Sequence, residues 1–242
     1  MEETGKNPIQ VAERLFQVIE RLAENGPMGI MDLSAELGFH KSTTHRLVTS
    51  LQYMGYIRQD EESLKYALSL KFLEIGSKIL EQTNMASLIH PSLKKLSEQT
   101  GETVHLVRRE GTEAVYIDKV ESTVSSIRMV SRVGSRIPLY CSGVGKALLA
   151  ELPDPEIEDI WNSSEITSLT PYTVTSLSDL MDRIRGVREA GFAMDDEENE
   201  EGVRCIAVSI PDYHKEPVYA LSISAPVSRM TDAGSRSFPQ MC

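Results

Sequence analysis

The chain has 242 residues, 40% of them hydrophobic, and a formal charge of -11; that length can bury one large core or two smaller ones, and that charge excludes indiscriminate coating of nucleic acid. No apolar run approaches the roughly 20 residues of a membrane span, and the opening MEETGKNPIQ is polar and acidic rather than signal-like, so a cytoplasmic protein with no membrane partner is expected. Cys141, Cys205 and Cys242 are too scattered for a disulfide framework, and neither they nor the five histidines show metal-ligand spacing, so no metal or cofactor is expected.

In residues 9–23 the apolar side chains Val11, Leu15, Phe16, Val18, Ile19 and Leu22 recur at three- and four-residue intervals, which predicts an amphipathic helix stopped by Gly26 and Pro27. A second helix, 31–37, carries Leu33 and Leu37 four apart and ends at Gly38, suited to the left-handed conformation that closes helices. A third is predicted over 41–54, closed by Gly55. Lys41, Ser42, Thr43, Thr44, His45 and Arg46 crowd its start with donors and no acidic side chain, while Leu47, Val48, Leu51 and Met54 supply a stripe expected to be buried. Residues 56–58 read as extended, 60–63 as a polar turn and 65–68 as a returning strand.

Helix, helix, short turn, helix and hairpin make a winged helix-turn-helix, assigned to residues 1–68. In such a unit the second helix of the turn enters the major groove, and the wing can reach an adjacent phosphate or the minor groove. The plainer alternative for the STTHRL start is a solvated helix N-terminus, where Ser and Thr are favoured in any case.

Residues 70–82, with Leu70, Leu73, Ile75, Ile79 and Leu80 apolar, predict a helix that connects two domains, the linker being 69–83. In the second domain, 84–232, a helix over 87–100 ends at Gly101, and strands are expected at 104–108, 114–120 and 126–130. The stretch SGVGKALLAELP reads as a helix opened by Gly143 and Gly145. It lacks the Walker spacing of a phosphate loop. A helix over 176–190 starts with Ser176 and Asp179 in a capping-box arrangement, and strands return at 205–210 and 218–224. This order predicts an α+β domain, an antiparallel sheet with helices packed around it. The tail 233–242 has no periodicity and is expected to be disordered.

Taken together, the winged helix, STTHRL, SGVGKALLA and DDEENEEGVRCIAVSIPD resemble the IclR family of bacterial transcriptional regulators over about residues 8–231. The resemblance implies a GAF-like second domain that binds small, often carboxylate-bearing metabolites, and homodimers or homotetramers that act on double-stranded operator DNA. It carries the DNA-contacting helix start onto Lys41, Ser42, Thr43, Thr44, His45 and Arg46, and an effector pocket onto Met129, Ile137, Gly143, Val144, Asp195, Cys205, Ser222 and Ser224. Those residue types suit a small oxyacid. Main-chain N–H groups of Gly143 and Val144 at a helix start favour an anion, Ser222 and Ser224 are two apart on a strand and so face one side, Asp195 would accept bonds from ligand hydroxyls, and Met129 with Ile137 would form an apolar wall. The chain departs from the family where Met31 and His40 replace a usual Ser or Thr and a usual Pro, and where AGSRSFPQMC replaces a C-terminal amphipathic helix.

The expected function is a sequence-specific DNA-binding repressor whose operator affinity is controlled by a small carboxylate or sugar acid; sugar-acid catabolism, such as a response to 2-keto-3-deoxygluconate, is the pathway suggested by overall resemblance. Two rivals stand beside it. One is a cysteine-dependent hydrolase using Cys205, with His105 or His214 as a base by residue type alone. The other is a ligand sensor whose winged helix binds protein.

Overall fold

A computed structural model of the protein describes residues 7–82, 84–122, 131–212, 214 and 216–230, and the chain divides into two compact units, residues 1–82 and 83–242. In the first unit, α1 (Gln10–Asn25), α2 (Ile30–Leu37) and α3 (Lys41–Tyr53) meet around Val18, Leu22, Leu33, Leu47, Val48 and Leu51. Spacings of three and four residues put these side chains on one stripe of each helix. The turn between α2 and α3 depends on Gly38, whose φ of 64° is left-handed, and the next N–H, of Phe39, bonds back to Ser34 O at 3.0 Å. An antiparallel hairpin follows, β1 (Ile57–Gln59) with β2 (Tyr66–Leu68), and Met28 bridges to Tyr66 to fasten the wing to the turn after α1. The unit ends with α4 (Lys71–Gln82).

Two sequence-based details are corrected in this unit. Met54, expected in the buried stripe, occupies the C-cap of α3 and is 39% exposed. Met31 is not at a cap position, because Gly29 is the N-cap of α2. His40 does precede α3 as its N-cap, and only its main-chain carbonyl serves there, accepting the N–H groups of Thr43 and Thr44 at 2.8 and 3.0 Å.

The second unit is built on an antiparallel sheet of six strands. Along the sheet the order is β5 (Arg136–Pro138), β4 (Glu113–Val120), β3 (Thr103–Glu110), β8 (Tyr219–Pro226), β7 (Val203–Ile210) and β6 (Ala193–Asp196). One face carries Val104, Leu106, Ile206 and Ile223 and packs with Leu93 and Leu96 of α5 (Asn84–Thr100). The opposite face carries Val107, Ala114, Ala207 and Ala220 and packs with α6 (Gly143–Ala150), α7 (Asp154–Asn162) and α8 (Leu177–Ala190). Small residues on this second face let the helices approach the strands closely.

The α+β class and the antiparallel sheet are as the sequence predicted, and α5 begins at Asn84, earlier than expected. β5, β6 and α7 have no counterpart among the predicted elements. β5 and β6 are three and four residues long, too short to display an alternation, and α7 offers little apolar pattern beyond Ile157, Ile160 and Trp161. The expected strand at 126–130 and the tail at 233–242 lie outside the described residues. Among the described residues, no helix is long and apolar enough to cross a membrane.

Candidate functional site

In the first unit the start of α3 presents Lys41, Ser42, His45 and Arg46 as exposed side chains, with Thr43 half-buried and no acidic residue in the first turn. Thr44 differs from these neighbours. It is fully buried, and its hydroxyl faces the His40 carbonyl at 3.4 Å, so its side chain belongs to the packing of the unit. The helical repeat requires this, since Thr44 lies three and four residues before the buried Leu47 and Val48. Thr49, one turn beyond His45, is exposed on the same face, and its hydroxyl lies 3.5 Å from His45 Nδ1. The wing turn is acidic at its tip. Asp60 accepts the N–H and the hydroxyl of Ser63 at 2.8 and 2.7 Å, and Glu61 and Glu62 are exposed.

In the second unit, strand alternation and register bring the polar residues together. Asp195 pairs with Cys205 across β6 and β7, Cys205 with Ser224 across β7 and β8, and Ser222 with His105 across β8 and β3. All five side chains therefore share the face of the sheet that carries α6. Between that face and the start of α6 lies a cavity of about 410 Å³. Ile137, Gly143, Val144, Asp195, Cys205, Ser222 and Ser224 all line it, and Met129 lies outside the described residues.

The two glycines of the α6 start have different physical reasons. A Cβ on Gly145 would stand 2.2 Å from Leu139 O, so only glycine lets this helix lie against the strand-to-helix turn. A Cβ on Gly143 would meet Ala207 Cβ and Asp195 Cβ at 3.5 Å, ordinary contact, at the edge of the cavity. Ser142 caps the helix, accepting the Gly145 N–H at 3.1 Å while donating to Pro138 O at 2.6 Å. Among the described residues no acceptor takes the N–H groups of Gly143 or Val144. An anion is favoured at such a helix start.

Lys146, one turn into α6, is buried and paired with buried Glu198. The pair anchors the loop after β6, whose turn uses Glu197 at a left-handed φ of 62°. That turn directs the N–H groups of Glu198 and Asn199 back to Asp195 Oδ1, at 2.8 and 3.4 Å. Burial raises the Asp195 carboxyl to about 7, against the opposing pull of Lys146. His105 Nε2 lies 2.8 Å from Ser131 Oγ, and its Nδ1 lies 3.3 Å from Ser224 Oγ and 3.5 Å from Ser222 Oγ. Burial, reinforced by Lys119, depresses this imidazole to about 3, so it is neutral at physiological pH. At the rim, Arg136 is paired with Glu110 and with Glu113, the latter at 3.3 Å.

This chemistry argues against the hydrolase alternative. The Cys205 thiol is pushed upward by burial and by the Asp195 charge, so it is held as a thiol, and its neighbour at 3.0 Å is Ser224 Oγ. A cysteine nucleophile needs the reverse, a depressed thiol beside a base. His105, Tyr116, Ser131, Ser135, Arg136, Ser142, Asn199, Glu200 and Val203 also line the cavity, and the sequence alone assigns none of them an effector-binding role, His105 being named there only as a possible base by residue type. For His105 the available signal is its position two residues before Val107. Choosing the face and partner requires the sheet register.

Residues 77–241 match the family described as bacterial transcriptional regulator IclR C-terminal, and residues 11–61 match the IclR helix-turn-helix domain. The chain belongs to the IclR family. This IclR-family chain is 37% identical over 231 residues to the HTH-type transcriptional regulator XynR of Escherichia coli strain K12, covering 95% of this chain and 91% of that protein. It is 35% identical over 236 residues to the transcriptional repressor IclR of the same strain, covering 96% of this chain and 86% of that protein. Among solved structures, the Thermotoga maritima IclR aligns with a TM-score of 0.80 at 30% identity, over 96% of this chain and 94% of that one. The protein is an IclR-family DNA-binding transcriptional regulator and not an enzyme.

Proposed function

We propose that this regulator represses transcription from double-stranded operator DNA, and that a small carboxylate or sugar acid bound in the second unit changes its operator affinity. The observation that carries the effector half is the cavity itself. It brings two uncommitted helix N–H groups, the Ser222 and Ser224 hydroxyls, the Asp195 carboxyl and the apolar Ile137 and Val144 to one cavity. Polar groups that converge in a concave site beside apolar side chains fix the orientation of a small polar ligand. Near-equal identity to XynR and to the repressor IclR favours no one effector, and the name of the latter supports the repressor sign.

The DNA half rests on Lys41, Ser42, Thr43, His45 and Arg46, with hydroxyls and N–H groups on phosphates and the cations on phosphates or guanine edges. Residues 1–68 form the DNA-binding domain, 69–83 the linker and 84–232 the effector domain. The protein acts in the cytoplasm as a homodimer or homotetramer. Support for self-association comes from exposed apolar side chains on α1, Val11 and Phe16 at 60% and 61%, and on α4, Leu73 and Ile79 at 69% and 60%. A second copy would cover such side chains.

A thermal-shift series with carboxylates and sugar acids tests the effector half, because a ligand at 100 times its Kd adds about 2.7 kcal/mol of stability. Stabilisation is expected in the wild type and not in Gly143→Ala, whose added methyl enters the cavity edge. Absence of stabilisation by every acid in the series would reject the carboxylate reading.

A further inference from the structure

The cavity wall at β6 holds a carboxyl group with one oxygen committed and the other open. Asp195 is 3% exposed, and its Oδ1 accepts two main-chain N–H groups. Among the described residues Oδ2 has no hydrogen-bond partner, and it is not sealed from the cavity that the residue lines.

The cations around it are already engaged. Lys146 of α6 is paired with Glu198, Arg136 of β5 with Glu110 and Glu113, and Lys119 of β4 with Glu121 and the Ser131 carbonyl. His105 of β3 is neutral, and β8 contributes the hydroxyls of Ser222 and Ser224. The other ionisable neighbours are acids: Glu198 and Glu200 after β6, Tyr116 on β4, Cys205 on β7 and Cys141 before α6.

If the cavity takes a carboxylate, the premise on which the inference rests, an acid seated on the Gly143 and Val144 N–H groups lies beside Asp195, because a methyl on Gly143 would already touch Asp195 Cβ at 3.5 Å. Two carboxylates so close in a poorly solvated cavity cannot both stay ionised. We infer that the effector is bound together with one proton, taken from solvent, carried on Asp195 Oδ2 and donated in a hydrogen bond to a ligand oxygen. Asp195 then acts as a donor, the opposite of the acceptor role expected from sequence. Burial prepares it for this, since it already raises the carboxyl to about 7. A carboxyl donor favours a carboxylate or keto oxygen, which brings no hydrogen of its own, over a polyol of the same length. Asp195 thus becomes a determinant of ligand class as well as a wall residue. On release of the ligand the proton returns to solvent.

Calorimetry of the full-length protein in phosphate and in Tris, across pH 6 to 9, reads the proton directly. The probes are pyruvate, D-gluconate and 2-keto-3-deoxygluconate. Uptake approaching one proton per site is expected above neutral pH, with affinity falling up to about tenfold per pH unit. Asp195→Asn keeps an acceptor for the two N–H groups and places an amide donor toward the cavity. It is expected to bind more tightly than wild type at pH 8.5, with no proton uptake, whereas Asp195→Ala loses affinity at every pH. Binding without proton uptake, or an Asn variant that fails as fully as the Ala variant, would overturn the inference while leaving the carboxylate site intact. No binding of any probe even at pH 6 would remove the carboxylate site and this inference with it.

Discussion

Gly143 and Gly145 stand two residues apart in one motif, and their substitution separates packing from ligand binding. Gly145→Ala forces a methyl into the Leu139 carbonyl; with backbone on the other side nothing flexible can yield, and overpacking of this kind costs about 1 to 3 kcal/mol or more. A lowered melting temperature of the effector unit is the expected result. Gly143→Ala meets only ordinary contacts, so its melting temperature is expected to stay within a degree or two of wild type while carboxylate binding is lost. Equal thermal stability of the two variants would contradict this division.

Asp195 and His105 make opposite contributions to the pH dependence of the ligand-free protein. Asp195 is raised from 3.8 to about 7 on folding, so its contribution to stability is complete below about pH 4 and is lost as pH rises through about 7. His105 is lowered from 6.5 to about 3, so its contribution is complete above about pH 6.5 and is lost as pH falls through about 3. Thermal melts should therefore show Asp195→Asn gaining stability relative to wild type between pH 5 and pH 8.5. A constant difference over that range would mean that Asp195 does not titrate there.

Among the elements, α3 has an exposed face with Lys41 and Arg46 and a buried face with Thr44, Leu47 and Val48. Lys41→Ala and Arg46→Ala should each weaken operator binding and reduce the slope of log K against log salt by about 0.9 for every phosphate contact removed. Thr44→Ala should instead lower stability, by about 1 kcal/mol, and leave that slope unchanged. Competition assays over a range of salt distinguish the two outcomes. The acidic turn between β1 and β2 works against close approach to phosphates, so Glu61→Gln with Glu62→Gln is expected to tighten DNA binding, most visibly at low salt. No change at low salt would place that turn away from the duplex.

These elements also show what can be read from sequence. The three helices of the first unit are legible because their apolar residues keep a helical period and glycines close the second and third. β7 and β8 are legible because each sustains a strand pattern over eight residues. β5 and β6 are not, since a strand of three or four residues shows at most two side chains on a face. Of the seven predicted pocket residues that converge, the family motifs SGVGKALLA and DDEENEEGVRC carry Gly143, Val144, Asp195 and Cys205, and Ile137, Ser222 and Ser224 come from the wider family resemblance, whereas the pocket role of His105 emerges only from the β3–β8 register. Thr44 sits apart from its exposed neighbours at the start of α3, and its burial follows from the three- and four-residue spacing to Leu47 and Val48.

At the scale of the whole molecule, a chain with a formal charge of -11 places a small basic tip on one helix. Two copies on paired half-sites would double that contact and supply the affinity one copy lacks. The cavity and α3 belong to different compact units, so the proposed control would need a ligand that binds one arrangement of the DNA-binding units of a dimer more tightly than another. Coupling of this kind is typically about 1 to 3 kcal/mol, or roughly 5- to 150-fold in affinity.

Coupling between the cavity and the DNA-binding unit is read most directly from the Kd for the DNA upstream of the protein's own gene, at fixed pH and salt, with and without a saturating carboxylate that raises the melting temperature. The expected result is a change of at least about fivefold in Kd, absent in Gly143→Ala, together with the same factor in the Kd of the carboxylate when DNA is bound. A carboxylate that stabilises the protein yet leaves the DNA Kd unchanged would show that the cavity does not govern operator binding.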